Sequence, residues 1–158
     1  MDRKEDHVEI DDSIVVGTDG SETAKLAVQE AVRLATALDA QVHVVSAFEP
    51  LRGVRIAGAP AGAAKVWAPL PDAQVEATLS EAAAAIRIAK PDLPVSTHAA
   101  QNDPADALLK VAGAVGATMI VVGSKGMHGA RRLALGNVPN KVSHRADCNV
   151  LIVSTDRG

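Results

Sequence analysis

The stretch Ser13-Ile-Val-Val-Gly-Thr-Asp-Gly-Ser21 decides the fold. A short apolar run rich in β-branched residues stops abruptly at turn formers. Such a run reads as a strand buried on both faces, the kind found in parallel sheets. Ser21 is a good N-cap, and the chain after it changes period. Ala24, Ala27, Val28, Ala31, Leu34, Ala35 and Leu38 recur at three- and four-residue spacing, which predicts a helix with one apolar face ending near Asp39-Ala40. Strand, tight turn and helix in that order open a βαβ unit.

The rest of the chain repeats the unit. Val42 to Phe48 reads as a second strand, 71–90 as a second helix, and Pro94 to Ala100 as a third strand with Val95, Thr97 and Ala99 on one side. Asp103-Pro104-Ala105-Asp106 opens a third helix: Asp103 suits the N-cap, Pro104 the first helical position and Asp106 the positive helix end. Leu108, Val111, Ala112 and Val115 supply its core face. Thr118 to Val122 is the fourth strand, Asn137 to Ala146 a short helix and Asn149 to Ser154 the fifth strand. Alternation of this kind predicts a three-layer α/β sandwich, Rossmann-like, with a five-stranded parallel sheet and helices on both faces. With strand order 3-2-1-4-5, strands one and four meet where the order reverses, and ligands of such sheets bind at the carboxyl ends of the strands there.

Two segments fall outside this pattern. Residues 1–11 read as a solvated tail, and 12–155 as one nucleotide-binding domain. Residues 49–70 combine glycine and proline without a period, and this long loop is either a lid over a ligand or a solvated insertion.

Composition narrows the function. The 158 residues carry a net charge of −3, against the basic balance usual for duplex binding, so nucleic acid is not expected as a partner. Phe48 and Trp67 are the only aromatic rings of the Phe, Tyr and Trp class, too few for a base-stacking platform. No apolar run approaches the roughly 20 residues that span a bilayer, and the first residues are polar and charged, unlike a secretory signal. Cys148 is the sole cysteine, which excludes an internal disulfide and cysteine-clustered metal sites. A cytoplasmic location fits. The five histidines show no metal-ligand spacing. His43 and His98 read as packing or edge residues, and His128 as a loop residue within reach of a phosphate.

The segment richest in chemistry is Val122-Gly-Ser-Lys-Gly-Met-His-Gly-Ala-Arg-Arg-Leu-Ala-Leu-Gly-Asn-Val-Pro-Asn-Lys141. Two residues separate Gly123 from Gly126, and nine separate Gly126 from Gly136. Glycine permits close backbone approach, and consecutive turn amides form concave anion sites. Gly136-Asn137 enters a helix, whose free amides and dipole favour phosphate. The two ends could clasp a polyphosphate, with Lys125, Arg131 or Arg132 adding charge; a plain glycine-rich connection is the alternative. Neither a P-loop nor a G-x-G-x-x-G fingerprint is present. Asn137 is expected to cap the last helix, contact phosphate, or both.

With these motifs in place, the chain over roughly 12–155 resembles a universal stress protein domain. The resemblance rests on Val15-Val-Gly-Thr-Asp-Gly-Ser21, on the G-2x-G-9x-G spacing, and on the ending Val138-Pro-Asn-Lys-Val-Ser-His-Arg-Ala-Asp-Cys-Asn-Val-Leu-Ile-Val153. It implies an ATP-binding stress-response regulator or sensor, with Mg2+ as a companion of the nucleotide. It places Gly17, Thr18 and Asp19 by the adenine with the backbone of Ala47. Val122, Gly123, Lys125 and Gly126 would serve the ribose and phosphates, and Gly136, Asn137 and Val138 the outer phosphates. Asn137 departs from the Ser or Thr usual at that position, which opens cyclic AMP as an alternative ligand. The resemblance also implies a homodimer through the last strand, Val150 and Ile152 included. A structural dimerisation module with an empty glycine loop is a further alternative. Turnover is expected to be absent, or limited to slow ATP hydrolysis or autophosphorylation, because no general base or G-x-S-x-G elbow stands out. An ATP pyrophosphatase of related fold would carry a serine- and glycine-rich loop after the first strand, which Asp19-Gly20-Ser21 is not.

Overall fold

The computed structural model describes residues 12–48, 71–101, 103–125 and 135–155; the tail at 1–11, the loop at 49–70, and Gly126, His128, Arg131 and Arg132 lie outside them. Five strands, β1 (Ser13–Gly17), β2 (Gln41–Ala47), β3 (Val95–Ala100), β4 (Met119–Gly123) and β5 (Asn149–Val153), alternate with four helices, α1 (Glu22–Leu38), α2 (Pro71–Ala89), α3 (Pro104–Val115) and α4 (Asn137–Arg145). All pairings are parallel and the order is β3-β2-β1-β4-β5, so the expected topology is the observed one.

Alternate residues of each strand feed two cores. Ile14, Val16, Val42, Val44 and Val121 pack under α1 and α2, while Val15, Val45, Ile120 and Val122 pack under α3 and α4. On α1 the buried stripe is Ala27, Val28, Ala31, Val32 and Ala35. Alanine at three of these positions lets the helix axis approach the sheet closely. Val32 belongs to the stripe and Leu38 does not: Leu38 is half exposed because the helix ends there, at Asp39 in a left-handed conformation with φ 55°. The α3 cap forms as expected, Asp103 accepting from the Asp106 amide, and Gly116 closes the helix at φ 62°. In α4 the N-cap is Gly136, not Asn137, which is instead the first helical residue. Pro139 accounts for the shift: it has no N–H to cap and fits the third helical position, so the helix begins one residue earlier than a capping asparagine would require.

The two strand histidines form a pair across β2 and β3. His43 Nδ1 and His98 Nε2 are 3.0 Å apart, with ring centroids at 5.2 Å. His43 is buried. Burial lowers the pKa of both below 6.5, and for His43 the neighbouring His98 lowers it further. Both rings therefore stay neutral in the fold at a pH where the unfolded chain already binds protons. Above pH 6.5 neither state is charged and the pair adds no pH dependence; as pH falls below 6.5 the unfolded state gains protons first and stability is lost. Thermal melts between pH 7.5 and 5.5 should show the melting temperature falling with acidification. The His43→Gln/His98→Gln variant should flatten that slope, and an equally steep slope in the variant would show that other groups carry it.

Candidate functional site

The site is built where β1 and β4 end. Gly17 closes β1, and an added Cβ there would lie 3.2 Å from Leu108 Cδ1 of α3. Thr18 is buried; its amide donates to the Val45 carbonyl at 2.9 Å, and its hydroxyl accepts from the Gly20 amide at 3.1 Å. The exposed Asp19 accepts from the Ser21 amide at 2.9 Å, an Asx turn, and Ser21 in turn caps α1 by accepting from the Ala24 amide. Gly20 sits at φ 80°, and its missing side chain leaves room for Thr78 of α2, 3.2 Å from a would-be Cβ. A local run of hydrogen bonds therefore sets the first turn and the start of α1.

The second turn is tied to the first. A Cβ on Gly123 would meet Thr155 Cγ2 at 3.2 Å, the Lys125 carbonyl at 3.5 Å and the Thr23 carbonyl of the first α1 turn at 3.9 Å. Gly136 is equally enclosed: a Cβ would lie 3.3 Å from the Ser124 carbonyl and 3.6 Å from Lys125 Cα, while its amide donates to the Ser124 carbonyl at 2.9 Å. The amino end of α4 is thus bonded directly to the turn leaving β4. Gly136 has no side chain to cap that end, and among the described residues no side chain bonds its first amides, which carry the positive end of the helix dipole. Asn137 is exposed and Val138 is half-buried against the second core. Two ion pairs brace α4 on α3: Lys141 to Asp103 at 3.3 Å and Arg145 to Asp106 at 2.5 Å. Exposed pairs of this kind are worth only about 0.5 kcal/mol each, so they orient α4 more than they stabilise it.

Of the residues expected at a ligand, Gly17, Thr18 and Asp19 lie at the end of β1, Gly123 and Lys125 at the end of β4, and Gly136, Asn137 and Val138 at the start of α4. Ala47 ends the neighbouring strand β2, partly buried and in register with Ala100. Val122 is 3% exposed with its side chain in the second core, which leaves only its main chain for any contact. Gly126 lies outside the described residues. Sequence reasoning did not nominate Thr155, whose methyl covers Gly123; nothing in the Ser154-Thr155 pair marks it. Cys148 is half-buried, and burial followed by the nearby Asp147 raises its thiol pKa, so it is a poor nucleophile. Among the described residues no three His, Cys, Asp or Glu side chains gather as a metal site, and no helix is long and apolar enough to cross a membrane.

Fold and site together define a doubly wound parallel α/β protein with an uncapped helix end at its switch point, an arrangement suited to an anionic ligand. The model of the universal stress protein family matches residues 12–154, and the chain belongs to that family. Universal stress protein Rv1636 of Mycobacterium tuberculosis is 33% identical over 151 residues, covering 90% of this chain and 96% of that protein. A solved universal stress protein in complex with cAMP superposes with a TM-score of 0.69 at 30% identity, covering 92% of this chain and 98% of its own. A universal stress protein from Archaeoglobus fulgidus gives a TM-score of 0.66 at 25% identity, covering 90% and 93%.

The enclosure of Gly136 makes a prediction. Gly136→Ala drives its Cβ against a backbone carbonyl that cannot swing aside, so the first turn of α4 must shift. Thermal stability should drop by about 1–2 kcal/mol, and a chemical-shift map should show changes centred on residues 123–125 and 136–140. Shifts confined to the far end of α4 would contradict this geometry.

Proposed function

We propose that the chain binds an adenine nucleotide in the crevice between the β1 and β4 turns and serves as a regulator or sensor in a stress response. The observation that carries this reading is the uncapped amino end of α4 hydrogen-bonded to the turn after β4, beside two glycines whose side-chain space is already taken. Glycine at both places lets backbone amides reach phosphate oxygens without a Cβ between them. The cAMP held by a family member of 30% identity supports the adenine class.

In this reading Gly17, Thr18, Asp19 and the backbone of Ala47 face the base. The backbone of Val122, with Gly123, Lys125 and Gly126, follows the ribose and inner phosphates, and Gly136, Asn137 and Val138 receive the outer ones. ATP is the proposed ligand. Mg2+ would enter on its phosphates, since the described residues supply no carboxylate cluster to hold the ion. Cyclic AMP is the second reading, favoured by the bound ligand of that relative and by Asn137.

Acid denaturation of freshly purified protein followed by mass spectrometry should release an adenine nucleotide, and titration calorimetry should rank ATP against cyclic AMP. At a hundredfold excess over Kd the better ligand should raise the melting temperature by roughly 5–10 °C. An empty protein that shows no shift with either nucleotide would reduce the glycine segment to a connection and leave a structural module.

We further propose a homodimer through β5. This strand is one of the two edges of the sheet, and Val150 and Ile152 are only partly covered. An apolar edge presents unpaired backbone groups and invites a second copy. Sedimentation should report a dimer, and Ile152→Lys should shift it towards monomer with the circular dichroism spectrum retained. A wild-type monomer at every concentration tested would remove this assignment.

A further inference from the structure

Ser124 is fixed on three sides. Its amide donates to the Val153 carbonyl of β5 at 2.8 Å, and its carbonyl accepts from the Gly136 amide at 2.9 Å. Its hydroxyl accepts from the Thr155 amide at 3.1 Å and lies 3.0 Å from the Thr155 hydroxyl. One residue thus spans from the last strand to the first turn of α4, and the side-chain part of that span depends on Thr155. The Thr155 methyl does a second thing: it occupies the space beside Gly123, 3.2 Å from a would-be Cβ. Gly123 and Ser124 are therefore both held by a residue well outside the glycine motif, and Gly136 is bonded in turn to the main chain of Ser124.

We infer that Thr155 and Ser124 form a latch that fixes the β4 turn on the end of β5, and so fixes the carbonyl to which the amino end of α4 is bonded, and that Thr155 is a positioning residue for phosphate recognition. The inference rests on the nucleotide reading above. A polyphosphate lying between these two segments gains from their amides only if the amides are already placed, because ordering them on binding costs affinity. In that reading the base sits towards β1 and β2, away from the latch. Loss of the latch therefore weakens ligands in proportion to what they place between the turn and the helix, and leaves the nucleoside part alone.

Thr155→Val keeps the shape and the methyl over Gly123 while removing the hydroxyl. Ser124→Ala removes the other partner. Calorimetric titration of the full chain with ATP and with adenosine separates the two ends of the ligand. Each variant should raise the Kd for ATP about three- to tenfold and leave that for adenosine within about twofold, as expected for one lost hydrogen bond. The double variant should lose less than the product of the two, and Thr155→Ser should restore ATP binding. Melting curves establish that each variant is folded. An unchanged ATP affinity in Thr155→Val would overturn the latch, as would an equal loss for ATP and adenosine. A wild-type chain that binds neither ligand overturns the nucleotide reading itself, and the latch's proposed role goes with it.

Discussion

The parallel pairing of β1 with β4 is the constraint on which the rest depends. Ile14, Val15 and Val16 lie in register with Met119, Ile120 and Val121, and all but Met119 are fully shielded from solvent. Strands joined by more than a hundred residues of chain become neighbours, and that adjacency reverses the strand order. The helix leaving β1 goes to one face and the helix leaving β4 to the other. Sheets of this kind take ligands outside the carboxyl ends of such strands, so the place proposed for the ligand follows from the topology before any polar residue is considered.

Small residues carry that topology into the site. Ala27, Ala31 and Ala35 are fully buried and bring α1 down onto the sheet. On the opposite face Leu108 of α3 presses on Gly17 closely enough that even a methyl there would crowd it. The β1 turn is thereby clamped between α1 and α3. The α3 helix in turn holds α4 through Asp103 and Asp106. Movement of α4 must work against these contacts, and the proposed amide site depends on such stiffness: amides discriminate only when the backbone presenting them is stiff.

The parts legible in the sequence were those governed by one dimension. The apolar runs at 13–17, 41–47 and 119–123 could be read because strands buried on both faces need continuous β-branched residues. The α3 cap could be read because Asp103, Pro104 and Asp106 each satisfy a local requirement. Alternation points to parallel strands, but the order 3-2-1-4-5 is a topological hypothesis that spacing alone does not prove; the observed pairings supply it. What could not be read depends on atoms distant in sequence. His43 and His98 each look like a strand residue; only the β2–β3 register makes them a pair. Leu38 keeps the helical period but lies at a helix end with no core left to meet. Thr155 has no local signature, since its role exists only where β5 ends beside β4.

The Asn137 assignment shows where local reasoning and tertiary context part. As a lone helix start, asparagine is among the best caps. Here the chain arrives through Gly136, whose amide is already committed to Ser124, and Pro139 accepts the third helical position. The cap role therefore passes to glycine, and the asparagine side chain is left exposed at the mouth of the site instead of folded back on its own helix. Replacing a hydroxyl residue by asparagine at this position then leaves the backbone amides of the helix end in place, because amides at the first turn depend on the helix and not on the side chain. What changes is the space and the hydrogen-bonding character at the point where an outer phosphate would arrive. If the proposed nucleotide binds here, discrimination between a long and a short phosphate chain falls on one side chain that the helix itself does not need.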